Sequence, residues 1–326
     1  MAGYGRADRM DGTGAERKGM KQKYTFVAGM LFVLMAASMI LTNFYVTGER
    51  SAAQADACES DFYILTSFYP MYIAAKNIVG DCDGVRLQNL SEPQTGCMHD
   101  YQLTTEDMRK LSFADAFIVN GGGIENFLAD TAKQYPKLEV IDASAQVRLL
   151  DDNAHAWMSI ADHCIQVRTI TEQLAALDAV HADLYRKNSR QYIAKLEELQ
   201  SSQQTIAARC KAANILIFHE AFAYIARDYG LTVAGGMDLD EERQIGAGEV
   251  AQLLEQIREQ KAGVILAEEL YGRKMCEAVQ READVQVIYL DTCVRGDYDA
   301  DSYLHAMRGN LEQMKRIYES TEQKSK

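Results

Sequence analysis

Proline is scarce, at three in 326 residues, and tryptophan occurs once. So few prolines leave long helices unbroken and rule out a polyproline linker. No internal repeat at solenoid periods is present, and no stretch has the composition of long disorder. Seven cysteines occur, yet none forms a C-x-x-C pair, so a thioredoxin-like redox pair is absent. No H-E-x-x-H occurs, and the Gly-rich run Asn120 to Gly123 is not followed by the Lys-Ser/Thr of a phosphate-binding loop. Basic charge is short as well. Residues 1–55 hold seven Lys/Arg against four Asp/Glu, while the rest holds 27 against 43. An acidic body of that size argues against nucleic acid, which needs a basic surface. It is compatible with cations.

The N-terminus carries a targeting or anchoring segment. Residues 24–46 are 23 consecutive uncharged, mostly apolar residues, and about 20 suffice to cross a bilayer as a helix. Lys18, Lys21 and Lys23 precede the run and hold its start on the cytoplasmic side. Met20 is an alternative start that would leave a more ordinary signal. Ala53-Gln54-Ala55 has the small-x-small form of a cleavage site, but it lies beyond Glu49 and Arg50. The expectation is an uncleaved anchor through residues 24–46, with residues 56–326 on the extracytoplasmic side of the cell membrane. All seven cysteines (58, 82, 97, 164, 210, 276 and 293) follow this segment, so disulfides are permitted. Cys58 and Cys82 both precede predicted strands, and a bridge between them is one option.

From residue 62 onward, strand and helix patterns alternate. Strands are expected at 62–67, 85–90, 116–120 and 138–142, with helices at 70–79, 105–112 and 124–133. Thr104 followed by Asp107 reads as a capping box. Helices at 159–176 and 182–209 come next in succession. The second has no Gly or Pro, and Leu184, Tyr185, Asn188, Tyr192, Ile193, Leu196, Leu199 and Gln203 form its 3–4 stripe. Alternation then resumes with strands at 215–218, 232–235, 263–267 and 286–290, and helices at 221–229, 249–260, 273–282 and 302–320. This pattern implies parallel sheets covered on both faces. The expected fold is α/β: two lobes, each a four-stranded parallel sheet with flanking helices, joined by one long rigid helix. The boundaries are 1–55 for the anchor and spacer, 56–181 for the first lobe, 182–210 for the linking helix and 211–326 for the second lobe.

His99 follows the second strand, His155 the fourth, His219 the fifth and Asp291 the eighth. Open α/β sheets bind ligands at the carboxyl ends of their strands, so two lobes facing a cleft would bring these four residues together. Three imidazoles and a carboxylate suit a borderline-soft divalent ion in four-coordinate geometry. Zn2+ is the expected ion, and Mn2+, which prefers more oxygen ligands, is the alternative. A single loop histidine is ordinarily solvated or a cap; the joint placement at four strand ends carries the reading. His163, His181 and His305 lie on or beside helices and receive no ligand role. Glu268, at the end of the seventh strand, could orient a ligand histidine, and Trp157 could cover the site; ordinary packing is the competing reading for both. Glu220, next to His219, is left either as a site group or as the start of a helix.

The segments TSFYPMYIAAKNIVGD, GCMHDYQLTTEDMRKL, NGGGIENF, NAHAWMS, FHEAFAYIARDYGL, AEEL and YLDT occur in this order across nearly all of residues 62–320. With them the chain resembles the metal-binding solute-binding proteins of bacterial zinc/manganese ABC importers. The resemblance implies that His99, His155, His219 and Asp291 are the metal ligands. It further implies two lobes on one long helix, limited closure, and delivery to a membrane ABC permease with its cytoplasmic ATPase. A histidine at the third ligand position resembles the zinc type. Three departures stand out. Met98 replaces the usual proline before His99, Glu269 replaces the usual proline after Glu268, and no histidine-rich loop precedes His155. No lipobox precedes Cys58. Cys97 and Cys293 each lie two residues from an implied ligand, and bystander, disulfide and thiolate ligand all remain open. A monomeric, non-catalytic receptor is expected. The rival is a zinc hydrolase with Glu268 as base, against which a fourth protein ligand would close the position that water needs.

Overall fold

Apolar runs such as Phe62–Thr66 can be strands only if both of their faces are covered, and both are. In the computed structural model the described residues are 61–92, 95, 98, 101–125, 131, 134–210, 213–239 and 246–324. The apolar run at 24–46, Cys58, Cys97, His99 and most of the helix expected at 124–133 lie outside them. Among the described residues no helix is long and apolar enough to cross a membrane.

The first sheet holds β1 (Phe62–Thr66), β2 (Val85–Asn89), β3 (Ala116–Val119) and β4 (Glu139–Asp142), all parallel, in the order β2-β1-β3-β4. The second holds β5 (Asn214–Ile217), β6 (Thr232–Gly236), β7 (Val264–Ala267) and β8 (Gln286–Tyr289), again parallel, in the order β6-β5-β7-β8. The two sheets thus share one winding, and in each the order reverses beside its first strand. That reversal opens a crevice at the carboxyl edge.

The helices are α1 (Tyr69–Val79), α2 (Thr105–Phe113), α3 (Ile160–Leu177), α4 (Ala182–Ala207), α5 (Phe222–Asp228), α6 (Ala247–Gln260), α7 (Glu269–Gln280) and α8 (Ser302–Lys324). The capping box at α2 forms as its residues predict. Thr104 Oγ1 accepts from the Asp107 N–H at 3.2 Å, and Asp107 Oδ2 accepts from the Thr104 N–H at 2.8 Å. Helix α7 starts four residues before the expected position. Gly272 lies inside the helix. A Cβ there would stand 3.0 Å from the Ala267 Cβ, so the glycine permits close packing of α7 on β7.

Alternation sorts the side chains of each strand between two cores. Tyr63, Leu65 and Phe117 face one cluster, whereas Ile64, Ile118 and Ile141 face another. In the second sheet Leu216, Ile265 and Val287 face outward to their own cluster, and Ile215, Leu266 and Ile288 join the cluster that Ile64 enters. The lobes therefore share one central core. Helix α4 runs through it, about 39 Å long at 1.5 Å per residue. Its buried stripe is Tyr185, Ser189, Tyr192, Ile193, Leu196, Leu199, Gln203 and Ile206. Leu184, expected in that stripe, is exposed instead. The helix packs on α1 and α3 of the first lobe and on α8 of the second. It acts as a spine embedded in both lobes rather than a free rod between them. Phe62–Lys326 accordingly forms one compact unit.

Candidate metal centre

Strand β5 runs straight into His219, which is 1% exposed. The Ala221 N–H then turns back and donates to His219 Nδ1 at 3.1 Å. A neutral ring in that state carries its proton on Nε2. For Nε2 to ligate a metal, the proton must leave it or the ring must turn.

His155 comes from the opposite lobe, on a loop where Asp151 and Asp152 both adopt left-handed backbone angles (φ 44° and 63°). Asn153 organises that loop. Its Oδ1 accepts from the His155 N–H at 3.0 Å and lies 2.9 Å from His155 Nδ1. Its amide donates to the Glu220 carbonyl at 2.8 Å, and its carbonyl accepts from Tyr224 Oη at 2.6 Å. The Glu220 carboxylate is 3.3 Å from the same His155 Nδ1. Two acceptors at Nδ1 place the proton there, so that the ring's lone pair lies on Nε2. This is the outer arrangement that metal-ligating histidines use. The His155 and His219 rings stand 5.1 Å apart at 89°, and His155 is fully buried.

Asp291 lies two residues beyond β8. Its Oδ1 accepts from the Cys293 N–H at 2.7 Å. Desolvation raises its carboxyl above the ordinary range, offset by that N–H and by Arg295. The residue is nevertheless exposed, so solvent screens the shift. Asp291 and Glu268 both line a cavity of about 890 Å³, with neither His155 nor His219 in its walls. Trp157 connects the two regions. It is fully buried, its ring lies 5.0 Å from His155, and its Nε1–H donates to the Thr292 carbonyl at 2.9 Å.

The Glu268 carboxylate meets no histidine among the described residues. It bonds Arg295 at 2.7 Å, and Arg295 in turn donates to Tyr271 Oη at 2.8 Å. Burial raises the Glu268 carboxyl, and the guanidinium opposes that rise. A carboxylate at a strand end takes whichever cation packing brings to it, and here the nearest is an arginine four residues past Asp291. Cys293 is a free thiol, 2% exposed, and burial pushes it well above its ordinary range. Cys82, Cys164, Cys210 and Cys276 are free thiols too. Among the described residues no three His, Cys, Asp or Glu stand together at metal-ligand spacing; His99 and Cys97 lie outside them.

A supporting network has no single-residue signature in sequence. Glu125, 6% exposed, accepts from Ser67 Oγ (2.7 Å), the Asn120 N–H (2.7 Å) and the Gly121 N–H (3.1 Å). Asn120 Nδ2 then donates to the carbonyl of Ala154, the residue before His155, at 2.8 Å. Gly121, Gly122 and Gly123 all have positive φ. A Cβ on Gly121 would meet the Asp142 carboxylate. The glycine run is thus a tight turn beneath the His155 loop, as its lack of a phosphate-loop lysine suggests.

Residues 64–317 match the family described as "Zinc-uptake complex component A periplasmic". The chain belongs to this family. Among its relatives is the high-affinity zinc uptake system protein ZnuA of Bacillus subtilis, 26% identical over 311 residues, covering 87% of this chain and 96% of the relative. The iron-binding protein YfeA of Yersinia pestis is 27% identical, covering 81% of this chain and 88% of the relative. The solute-binding protein FpvC of Pseudomonas aeruginosa, in complex with Mn2+, superposes with a TM-score of 0.70 at 27% identity, covering 80% of this chain and 99% of that one. These zinc-uptake family proteins are substrate-binding components of importers and not enzymes. The zinc hydrolase alternative is therefore set aside. The family fold is two α/β lobes on a long helix, as the strand alternation predicts.

Proposed function

We propose that this chain is an extracytoplasmic receptor that binds Zn2+ between its lobes and delivers it to an ABC permease. The proposed ligands are His99, His155, His219 and Asp291. The observation that carries the reading is the His155–His219 pair, two buried imidazoles from opposite lobes 5.1 Å apart. Two such rings cannot both be protonated cheaply in a buried site, and a shared cation is the natural use of their lone pairs. The Asn153 and Glu220 acceptors at His155 Nδ1 support it further. Trp157, against His155, closes the side of the pair nearest Thr292.

The names of the relatives span zinc, iron and manganese, so the donor set chooses the ion. Three nitrogens and one carboxylate favour Zn2+ over Mn2+. The extracytoplasmic location is supported by the periplasmic and lipoprotein descriptions of family members. In this reading residues 24–46 carry the chain to, and hold it at, the membrane.

Metal content of protein purified without chelators, followed by competitive Zn2+/Mn2+ titration, tests the choice of ion. Tighter Mn2+ than Zn2+ binding would reverse it. Calorimetry on His219→Ala tests the site, with a loss of roughly tenfold or more in zinc affinity expected. Unchanged affinity in a folded His219→Ala protein would remove His219 from the ligand set. Binding releases protons, because ligating imidazoles must be neutral. Affinity should therefore fall on acidification, below the ordinary histidine value of about 6.5 because burial disfavours the charged ring.

A further inference from the structure

Strand β8 is the last strand of its sheet. Its ladder to β7 ends where the Leu290 N–H donates to the Ala267 carbonyl at 2.9 Å. The next residue is Asp291, whose peptide groups have no strand on their other side. An unpaired peptide there would be free to wander. The partner comes from α8 instead. The Asp291 N–H donates to Asn310 Oδ1 at 2.8 Å, and Asn310 Nδ2 donates to the Asp291 carbonyl at 2.8 Å. One side-chain amide thus makes the pair of bonds that a further strand would have made.

Asparagine is a poor choice for a helix interior on propensity alone, yet Asn310 sits in the middle of α8 and is 3% exposed. Met307, Leu311 and Met314 beside it are packed in the core, so the amide has little freedom to move. From this anchored peptide the Asp291 side chain folds forward into a short turn. Its Oδ1 accepts from the Cys293 N–H at 2.7 Å, and Cys293 adopts a left-handed backbone angle of 58°. One carboxylate oxygen is thus held by the chain.

We propose that Asn310 is a positioning residue for metal capture, whose buried amide, clamped on the Asp291 peptide, sets where the Asp291 carboxylate stands. The proposal rests on the reading of Asp291 as a metal ligand. It assigns Asn310 no contact with the ion. Its role is to hold an edge-strand terminus as firmly as an interior one, so that the carboxylate is in place before the ion arrives.

The test is a cycle in the full-length chain: wild type, Asn310→Leu, Asp291→Ala and the double variant, each titrated with Zn2+ by competition calorimetry. Asn310→Ser, which is smaller and retains a hydroxyl, carries the test if the leucine variant does not fold. Thermal melting establishes which variants are folded. The expected result is a loss of about tenfold to a hundredfold for the Asn310 variant, the usual effect of removing an outer partner of a ligand. The double variant should bind no more weakly than Asp291→Ala alone. The visible spectrum of the Co2+-loaded Asn310 variant should also differ from that of wild type. Wild-type affinity in the Asn310 variant would overturn the proposal and leave the ligand reading intact. An equal loss in both backgrounds would overturn it too, because the effect would then not pass through Asp291. Unchanged affinity in Asp291→Ala would remove the ligand reading and the proposal with it.

Discussion

The buried carboxyl of Glu125 should leave a measurable mark on stability as pH changes. Desolvation raises it from the ordinary 4.5 to about 7, against the hydrogen bonds from Ser67, Asn120 and Gly121. Above the unfolded value the folded chain keeps this proton while the unfolded chain loses it. Stability from the protonated form is thus fully present below about 4.5 and is lost as pH rises through about 7. At about 1.4 kcal/mol per unit, most of the shift falls between pH 5 and 8 and costs about 2–3 kcal/mol. His163 works in the opposite direction over part of that window, so wild type alone is not diagnostic. The comparison is with Glu125→Gln, in which His163 is unchanged. The glutamine amide would put a donor against the Gly121 N–H, so the variant starts with a penalty of about 1–3 kcal/mol. That penalty does not vary with pH. The melting-temperature advantage of wild type over the variant, followed from pH 5 to pH 8, should therefore shrink by roughly 5 °C or more. A constant difference across the range would refute the argument and show that Glu125 titrates in the folded state as it does in the unfolded one.

Two further perturbations test separate parts of the structure. His163 is fully buried against Tyr303 and Gln166, and desolvation lowers it to about 4. Its stability contribution is present above the unfolded value and lost as pH falls from about 6.5 towards 4, on the order of 3 kcal/mol. His163→Phe should therefore lose less stability than wild type on acidification, as followed by denaturant melts at pH 7 and pH 4.5; parallel losses would contradict it. Trp157→Phe deletes the donor to the buried Thr292 carbonyl and leaves that acceptor unpaired, at about 1–3 kcal/mol. Its melting temperature should fall by several degrees, and an unchanged value would show that the bond between the lobes contributes no net stability.

The donor pattern in this interface explains why the two lobes behave as one body. The chain after Asp291 crosses to the first lobe and is held there through its carbonyls. Trp157 Nε1 donates to Thr292, Tyr69 Oη to Asp297 (2.5 Å), Lys76 Nζ to Tyr298 (2.5 Å) and Asn77 Nδ2 to Ala300 (2.7 Å). On the other side Arg227 reaches Asp162 at 2.8 Å, and Asn153 and Tyr224 join the His155 loop to α5. With a shared core beneath these bonds, wide opening of the lobes would expose both apolar surface and many carbonyls.

What the sequence determined by itself was local and periodic. Continuous apolar runs such as Phe62–Thr66 required strands covered on both faces. Thr104 and Asp107 started a helix because a cap needs only three residues of chain. His155, His219 and Asp291 were legible as candidates because a residue's place after a strand can be counted along the chain. Tertiary structure decided the rest, because partners far apart in sequence are chosen by packing and not by spacing. Glu268 found Arg295, Gly272 lay inside a helix to let it touch β7, and Asn310 reached the Asp291 peptide from nineteen residues on. The 5.1 Å approach of His155 to His219 is of the same kind. It exists because two sheets of like winding were packed on one spine with a core in common, and no segment of either lobe encodes that alone.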